Sequence, residues 1–265
     1  MLRFTRFTVL LLICLVFCLG WALVLELMPE KDTVWNHLYN LVFASVFLPG
    51  GILGVYSGMK FGLKSIGGKA LFFLGWGLIS WSVGLVIWVG YNLILRVDVP
   101  YPSWSDLFFS VLFYPFVGVG YFYTVRLFTA QIPKRYLIDS IIIVSLSTVA
   151  VFGFFSQPDL SADLPVLEKI LNVVYPAGDV LLVSIASLAL RIYKGKIPMS
   201  LLVLIVGLLL KTVADFMFSY LAAANLYWNG DISDVTFTFA GFCMSWGIWG
   251  IKQNLMSGVD QTVKK

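Results

Sequence analysis

Three ionisable side chains sit where a bilayer would tolerate them least: Asp179 in VVYPAGDVLL, and Lys211 and Asp215 in LLLKTVADFMF. Charged groups at membrane depth are costly and face one another or a cavity. Lys211 and Asp215 are four residues apart, so on a helix they share one face. Lys211 has two carboxylates to choose from, Asp215 along its own helix or Asp179 across two helices. Either pairing relieves buried charge, as an ion pair that fixes helix register or as part of a ligand, ion or proton site. A buried lysine beside carboxylates is also what a retinal aldimine needs, but nothing else in the chain supports that chemistry. Two tyrosines on neighbouring apolar stretches, Tyr114 and Tyr175, together with Trp81, face inward as packing residues or as the wall of an apolar pocket. Asp106, in the string PSWSD, opens a helix and serves as a cap that a ligand could also reach.

No recognised enzyme frame accompanies these groups. HExxH, GxSxG, a phosphate loop and a framed pair of carboxylates are all missing, so we expect no catalytic residue and no cofactor. His37 is the only histidine, which excludes a multi-histidine metal site. Cys14, Cys18 and Cys243 all lie within apolar runs and read as small apolar residues rather than a disulfide framework. Gly50-Gly51 and Gly67-Gly68 lack the strand and helix context of a nucleotide loop and read as packing or loop glycines.

The elements that must position the charges are hydrophobic helices. Of the 265 residues, 60% are hydrophobic and 12% charged, with a mean hydropathy of +0.91. A soluble domain is usually about 45–50% apolar. Eight runs reach the length of about 20 residues that a spanning helix needs: 7–28, 36–57, 70–95, 104–126, 136–156, 166–193, 198–224 and 233–251. The expected fold is therefore all-α and polytopic, with one transmembrane domain over 1–252 and a short tail over 253–265. The first run, behind Arg3 and Arg6, resembles a signal peptide but lacks a small-x-small cleavage site, and is expected to be retained.

Loop charge supports that count. Fourteen of the 18 basic residues alternate onto one side, including Lys60, Lys64, Lys69, Arg126, Arg135, Arg191, Lys194, Lys252 and Lys265. The opposite side takes Lys31, Arg96 and Lys169 with most of the acids, among them Glu30, Asp32, Asp98, Asp106, Glu168, Asp231 and Asp234. By the positive-inside rule both termini are cytoplasmic and the membrane is the cell membrane. The net charge of +4 thus reports topology and membrane lipids rather than a nucleic-acid partner. Trp35, Trp88, Tyr91, Tyr101, Trp104, Tyr227 and Trp228 collect at the acidic boundary as an aromatic belt.

Pro49, Pro115 and Pro176 interrupt the second, fourth and sixth runs at spacings of 66 and 61 residues, and the sequence around each is weakly alike. This predicts four helical hairpins in parallel orientation. The prolines should free the carbonyls of Ser45, Val111 and Asn172, either as plain kinks or as polar ligands. On helix arithmetic, Asp179 lies about 20 Å below the acidic face and Lys211 roughly 10 Å above it, bridged in part by the long lysine side chain.

The strings PSWSDLFFSVLFYP, YPAGDVLLV and GLLLKTVADFMFSYL, followed by Asp234, resemble the multi-pass sensor region that precedes diguanylate cyclase, phosphodiesterase or histidine kinase domains in bacterial signalling proteins. The resemblance covers helices three to eight. It implies a recurrence of the segments bearing Asp106, Asp179, Asp215 and Asp234, and a sensing role. No output domain follows the eighth run in this sequence, so signalling would need a separate partner. The reading is thus a non-enzymatic membrane sensor or interaction protein. It would bind a small or lipid-like ligand around Asp179, Lys211, Asp215, Tyr175, Tyr114 and Asp106. A transporter or channel using the same charges for an ion or proton is the alternative.

Overall fold

Local capping sets where the helices begin at the acidic-loop end. Thr33 accepts from the Asn36 backbone N–H while the Asn36 side chain reaches back to Thr33 N, a reciprocal capping box. Asp106 accepts from the backbone N–H of Ser103 at 2.6 Å and from its hydroxyl at 2.9 Å. Asp231 accepts from Ser233 and Asp234 N–H, and Asp234 in turn accepts from Gly230 N–H at 2.7 Å. Asp106 is therefore not itself the N-cap that the sequence suggested: Ser103 is, with Asp106 three residues on, and the last helix repeats the arrangement with Asp231 as N-cap and Asp234 three residues on.

The computed structural model describes residues 5–129, 134–150, 164–192 and 197–258. Among them are eight long helices and no strand: α1 (Arg6–Leu27), α2 (Val34–Phe61), α3 (Ile66–Leu95), α4 (Trp104–Phe128), α5 (Lys134–Ala150), α6 (Val166–Ile192), α7 (Met199–Ala223) and α8 (Ile232–Met256). Their ends fall within about a turn of the hydrophobic runs. The last part of the fifth run, the tail beyond 258, and Arg3, Lys194, Lys265, Asp159 and Asp163 lie outside the described residues.

Six of these helices, α1, α2, α3, α4, α6 and α7, are long and apolar enough to cross a membrane. α5 is described over 17 residues only. α8 is long but more polar, and its position explains why. It packs against α1, α2, α3 and α7. Its buried residues include Ser233, Thr238, Ser245 and four glycine or alanine positions, so its composition answers to protein neighbours rather than to lipid. The outer helices show the converse. Ile13, Val16, Phe17, Leu23 and Val24 of α1 are more than half exposed, an apolar belt that water would not tolerate.

α2, α3, α4, α6, α7 and α8 form a closed ring by successive contacts, with α3 also touching α8 across it. α1 lies outside against α2 and α8, and α5 lies outside against α6, where Arg191 meets Asp139 at 3.2 Å. The tightest seam joins α2 to α3: a Cβ on Gly54 would come within 2.8 Å of the Gly75 Cα and the Leu71 carbonyl oxygen, so only glycine permits this approach.

All three prolines lie inside helices, and α4 shows how one is absorbed. A π-helical turn over Leu107–Leu112 directly precedes Phe113–Phe128, which contains Pro115. Val111, whose carbonyl the proline cannot bond, falls inside that wide turn. On α2 the Ser245 hydroxyl donates to the carbonyl of Val46 at 2.5 Å, next to the carbonyl predicted from sequence.

Asp231 lies in the loop before α8 and is 4% exposed. Burial pushes its carboxyl above the ordinary range despite three hydrogen bonds to it. The folded protein therefore holds that proton more tightly than the unfolded chain does. The group's stabilising contribution is complete below the unfolded pKa of about 3.9 and is lost as pH rises through the folded value. Asp231→Asn keeps a good capping residue without the charge. It should gain stability over the wild type at pH 7, and that advantage should shrink on acidification toward pH 4 in thermal unfolding.

Candidate functional site

The three membrane-depth charges meet. Lys211 Nζ lies 3.0 Å from Asp179 Oδ1, pairs with Asp215 Oδ2, and donates to the Tyr114 hydroxyl at 2.5 Å. Both pairings weighed from sequence thus form at once, with the lysine side chain reaching Asp179 on the neighbouring helix. The ammonium has three donors, and Asp179, Asp215 and Tyr114 use all three. Its charge also lies 3.9 Å from the Tyr114 ring centroid, 5.2 Å from Phe113 and 5.4 Å from Trp81. Thr212 adds a hydrogen bond to Asp179 Oδ1 at 3.4 Å, and Tyr114 one to Asp215 Oδ2 at 3.4 Å. Gly178, next to Asp179, is what admits Tyr114: a Cβ there would sit 2.5 Å from the ring.

Exposure grades across the cluster. The side chains of Lys211, Asp179 and Asp215 are 0%, 3% and 13% exposed. Asp215 is the member that opens outward. Above it, a cavity of about 1690 Å³ runs from the acidic loops to Asp179 and Asp215. Tyr175 and Trp81 are on its wall, as is Pro176, whereas Pro49, Pro115 and Tyr114 are not. None of the residues around it comes from the basic loops. Toward those loops the bundle is closed by buried Phe47, Leu74, Leu78, Tyr121, Leu204, Leu208, Met244 and Ile248.

Asp106 forms a second polar station nearer the mouth. Besides its capping bonds it accepts from the Tyr175 hydroxyl at 2.7 Å. It is not part of the lysine cluster. Tyr175 reaches Asp106 with its hydroxyl and Tyr114 with its ring, at 6.3 Å between centroids, and so stands between the two stations.

Sequence reasoning missed Asn229. Its Oδ1 accepts from Asn40 Nδ2 at 2.7 Å, Trp88 Nε1 at 2.9 Å and Tyr227 hydroxyl at 3.3 Å, while its backbone carbonyl accepts from Asn36 Nδ2 at 3.2 Å. Its Nδ2 lies 3.2 Å from His37 Nδ1, and His37 Nε2 lies 3.2 Å from Asp32. One side chain in the α7–α8 loop thereby ties down α2 and α3 at the mouth. The Asn229-Gly230 pair is a visible turn signal, but its partners on α2 and α3 lie more than 140 residues away in sequence. In the same loop, burial and the adjacent Asp234 push the Tyr227 pKa up, so the phenol keeps its proton and donates to Asp234 at 3.3 Å.

Fold and site together define an all-helical protein with membrane-spanning character, holding a buried lysine between two aspartates beneath an open aromatic cavity. No family model, curated protein or solved structure matches the chain.

Proposed function

We propose that this chain is a non-enzymatic integral membrane sensor or interaction protein that binds a small or lipid-like ligand in the cavity above Asp179, Lys211 and Asp215. One observation carries the reading: the cavity is lined only from the acidic-loop end and stops at the lysine cluster, over a packed apolar half. A receptor needs such a blind site, and a conduit needs a way out. In this reading all eight helices span the cell membrane, with both termini cytoplasmic and the acidic mouth outside. The packing of α1 on α2, α3 on α4, α5 on α6 and α7 on α8 supports four parallel hairpins. So does the shared start of α2, α4 and α8, where the residues at 36, 106 and 234 each reach back to a backbone N–H. Binding would be passed to a separate signalling partner on the cytoplasmic side, as the resemblance to sensor regions implies.

A second reading, a transporter or channel for an ion or proton, draws on the lysine cluster lying at membrane depth beside the Pro176 break in α6. Reconstitution separates the two. Liposomes containing the protein and loaded with a pH-sensitive dye should show no proton flux above protein-free liposomes, with or without Asp179→Asn. Flux that Asp179→Asn abolishes would replace the sensor with the transporter.

A further inference from the structure

We propose that the ligand of this cavity is an organic cation, a primary or quaternary ammonium group on an apolar or aromatic body; this rests on the cavity being a ligand site. Eight carboxylates line the cavity against one lysine and one histidine. That imbalance reaches the bottom. Lys211 is not on the lining, and its three donors are consumed by Asp179, Asp215 and Tyr114, so the floor presents carboxyl oxygens to the cavity and no free cation. Lys211 and Tyr114 both engage Oδ2 of Asp215, the member of the cluster that opens to the cavity. A cleft walled by low-dielectric side chains and lined by one sign of charge concentrates the opposite sign.

The walls fit the same ligand. Twelve aromatic side chains line the cavity, and Trp81, Phe237, Trp88 and Phe109 pack as one group, with Trp81 centroids 5.1 Å from Phe237 and 4.8 Å from Phe109. Aromatic faces around a carboxylate are the usual setting for alkylammonium recognition. Trp81 adds a polar handle. It is 4% exposed and lines the cavity, and no described residue pairs with its indole N–H. Buried donors are usually paired, and in this proposal an acceptor on the bound molecule takes that role. A hydroxyl or carbonyl oxygen a few atoms from the ammonium would meet that need. An anion would meet eight carboxylates, and a purely apolar molecule would offer nothing to Asp215 or to the Trp81 donor.

The test uses the full chain in detergent, titrated with three monosubstituted benzene probes while tryptophan fluorescence and thermal stability are read. The probes are phenyltrimethylammonium, its neutral tert-butylbenzene analogue, and benzoate. The cation should bind at least tenfold more tightly than the other two and raise the melting temperature, with affinity falling as salt is raised. Asp215→Asn should weaken the cation about tenfold while leaving the neutral probe unchanged. Phe237→Leu leaves the charged cluster untouched, which guards against misfolding, and should weaken the cation several-fold. Equal affinity for the neutral probe would overturn the cation inference and leave the cavity a ligand site. Binding by none of the three would overturn both. Repeating the titration in nanodiscs of phosphatidylethanolamine and of phosphatidylglycerol assigns the source. Competition by the ethanolamine lipid alone identifies a lipid headgroup, and equal affinities in both identify a free solute amine.

Discussion

Replacing Lys211 with methionine will destabilise the protein by about 3–5 kcal/mol, the usual effect of removing one partner from a buried ion pair. Methionine keeps most of the volume and the apolar stem, so the loss isolates charge rather than packing. What remains is Asp179 and Asp215 facing each other across a site where Asp179 is 3% exposed, with Tyr114 as the one nearby donor besides Thr212. The same logic predicts a rescue. Lys211→Met combined with Asp179→Asn and Asp215→Asn removes every charge together and should recover most of the lost stability, because a neutral, packed replacement for a buried ion cluster is often tolerated. Chemical unfolding of the wild type, single and triple variants in one detergent measures both. A harmless single variant, or a triple variant no better than the single, would show that the cluster is not held by charge.

The second large effect is expected at the mouth. Asn229→Ala will cost about 2 kcal/mol, because it strips the acceptor from Asn40 Nδ2 and Trp88 Nε1 together, and each buried group left unpaired costs about 1–3 kcal/mol before water compensates. The change should also be local. Hydrogen exchange at the acidic-loop ends of α2 and α3 should accelerate, while the α2–α3 seam around Gly54 and Gly75 stays protected. Acceleration spread evenly through the bundle would mean that Asn229 supports the whole fold rather than the rim of the cavity.

These two sites mark how far the sequence could be read. Helix number and position were legible because each hydrophobic run must bury or expose about 20 residues together, a signal that composition carries directly. The hydropathy of α8 is weaker, since a helix packed among protein neighbours has no need of what lipid imposes, and Ser233, Asp234, Thr238 and Ser245 lower it. Lys211, Asp179 and Asp215 could be picked out by cost alone. Their simultaneous contact could not, because counting residues along two helices ignores how far one slides against the other. Tyr114 and Tyr175 were correctly drawn toward the interior, yet their division between the lysine cluster and Asp106 depends on the π turn and on Gly178, neither of which announces a partner. Asn229 was invisible for a different reason. A polar residue in a loop reads as solvent-facing until its distant partners are known.

The central claim is a cavity open at the acidic-loop end alone. Met217 lines it two residues above Asp215 on α7. In a background with Cys14, Cys18 and Cys243 replaced, Met217→Cys can be challenged with a membrane-impermeant thiol reagent from either side of sealed, oriented vesicles. Labelling from the acidic-loop side, with none from the basic-loop side under any ligand or pH condition, is the predicted result. Labelling that switches to the basic-loop side would show an alternating path and contradict the blind site.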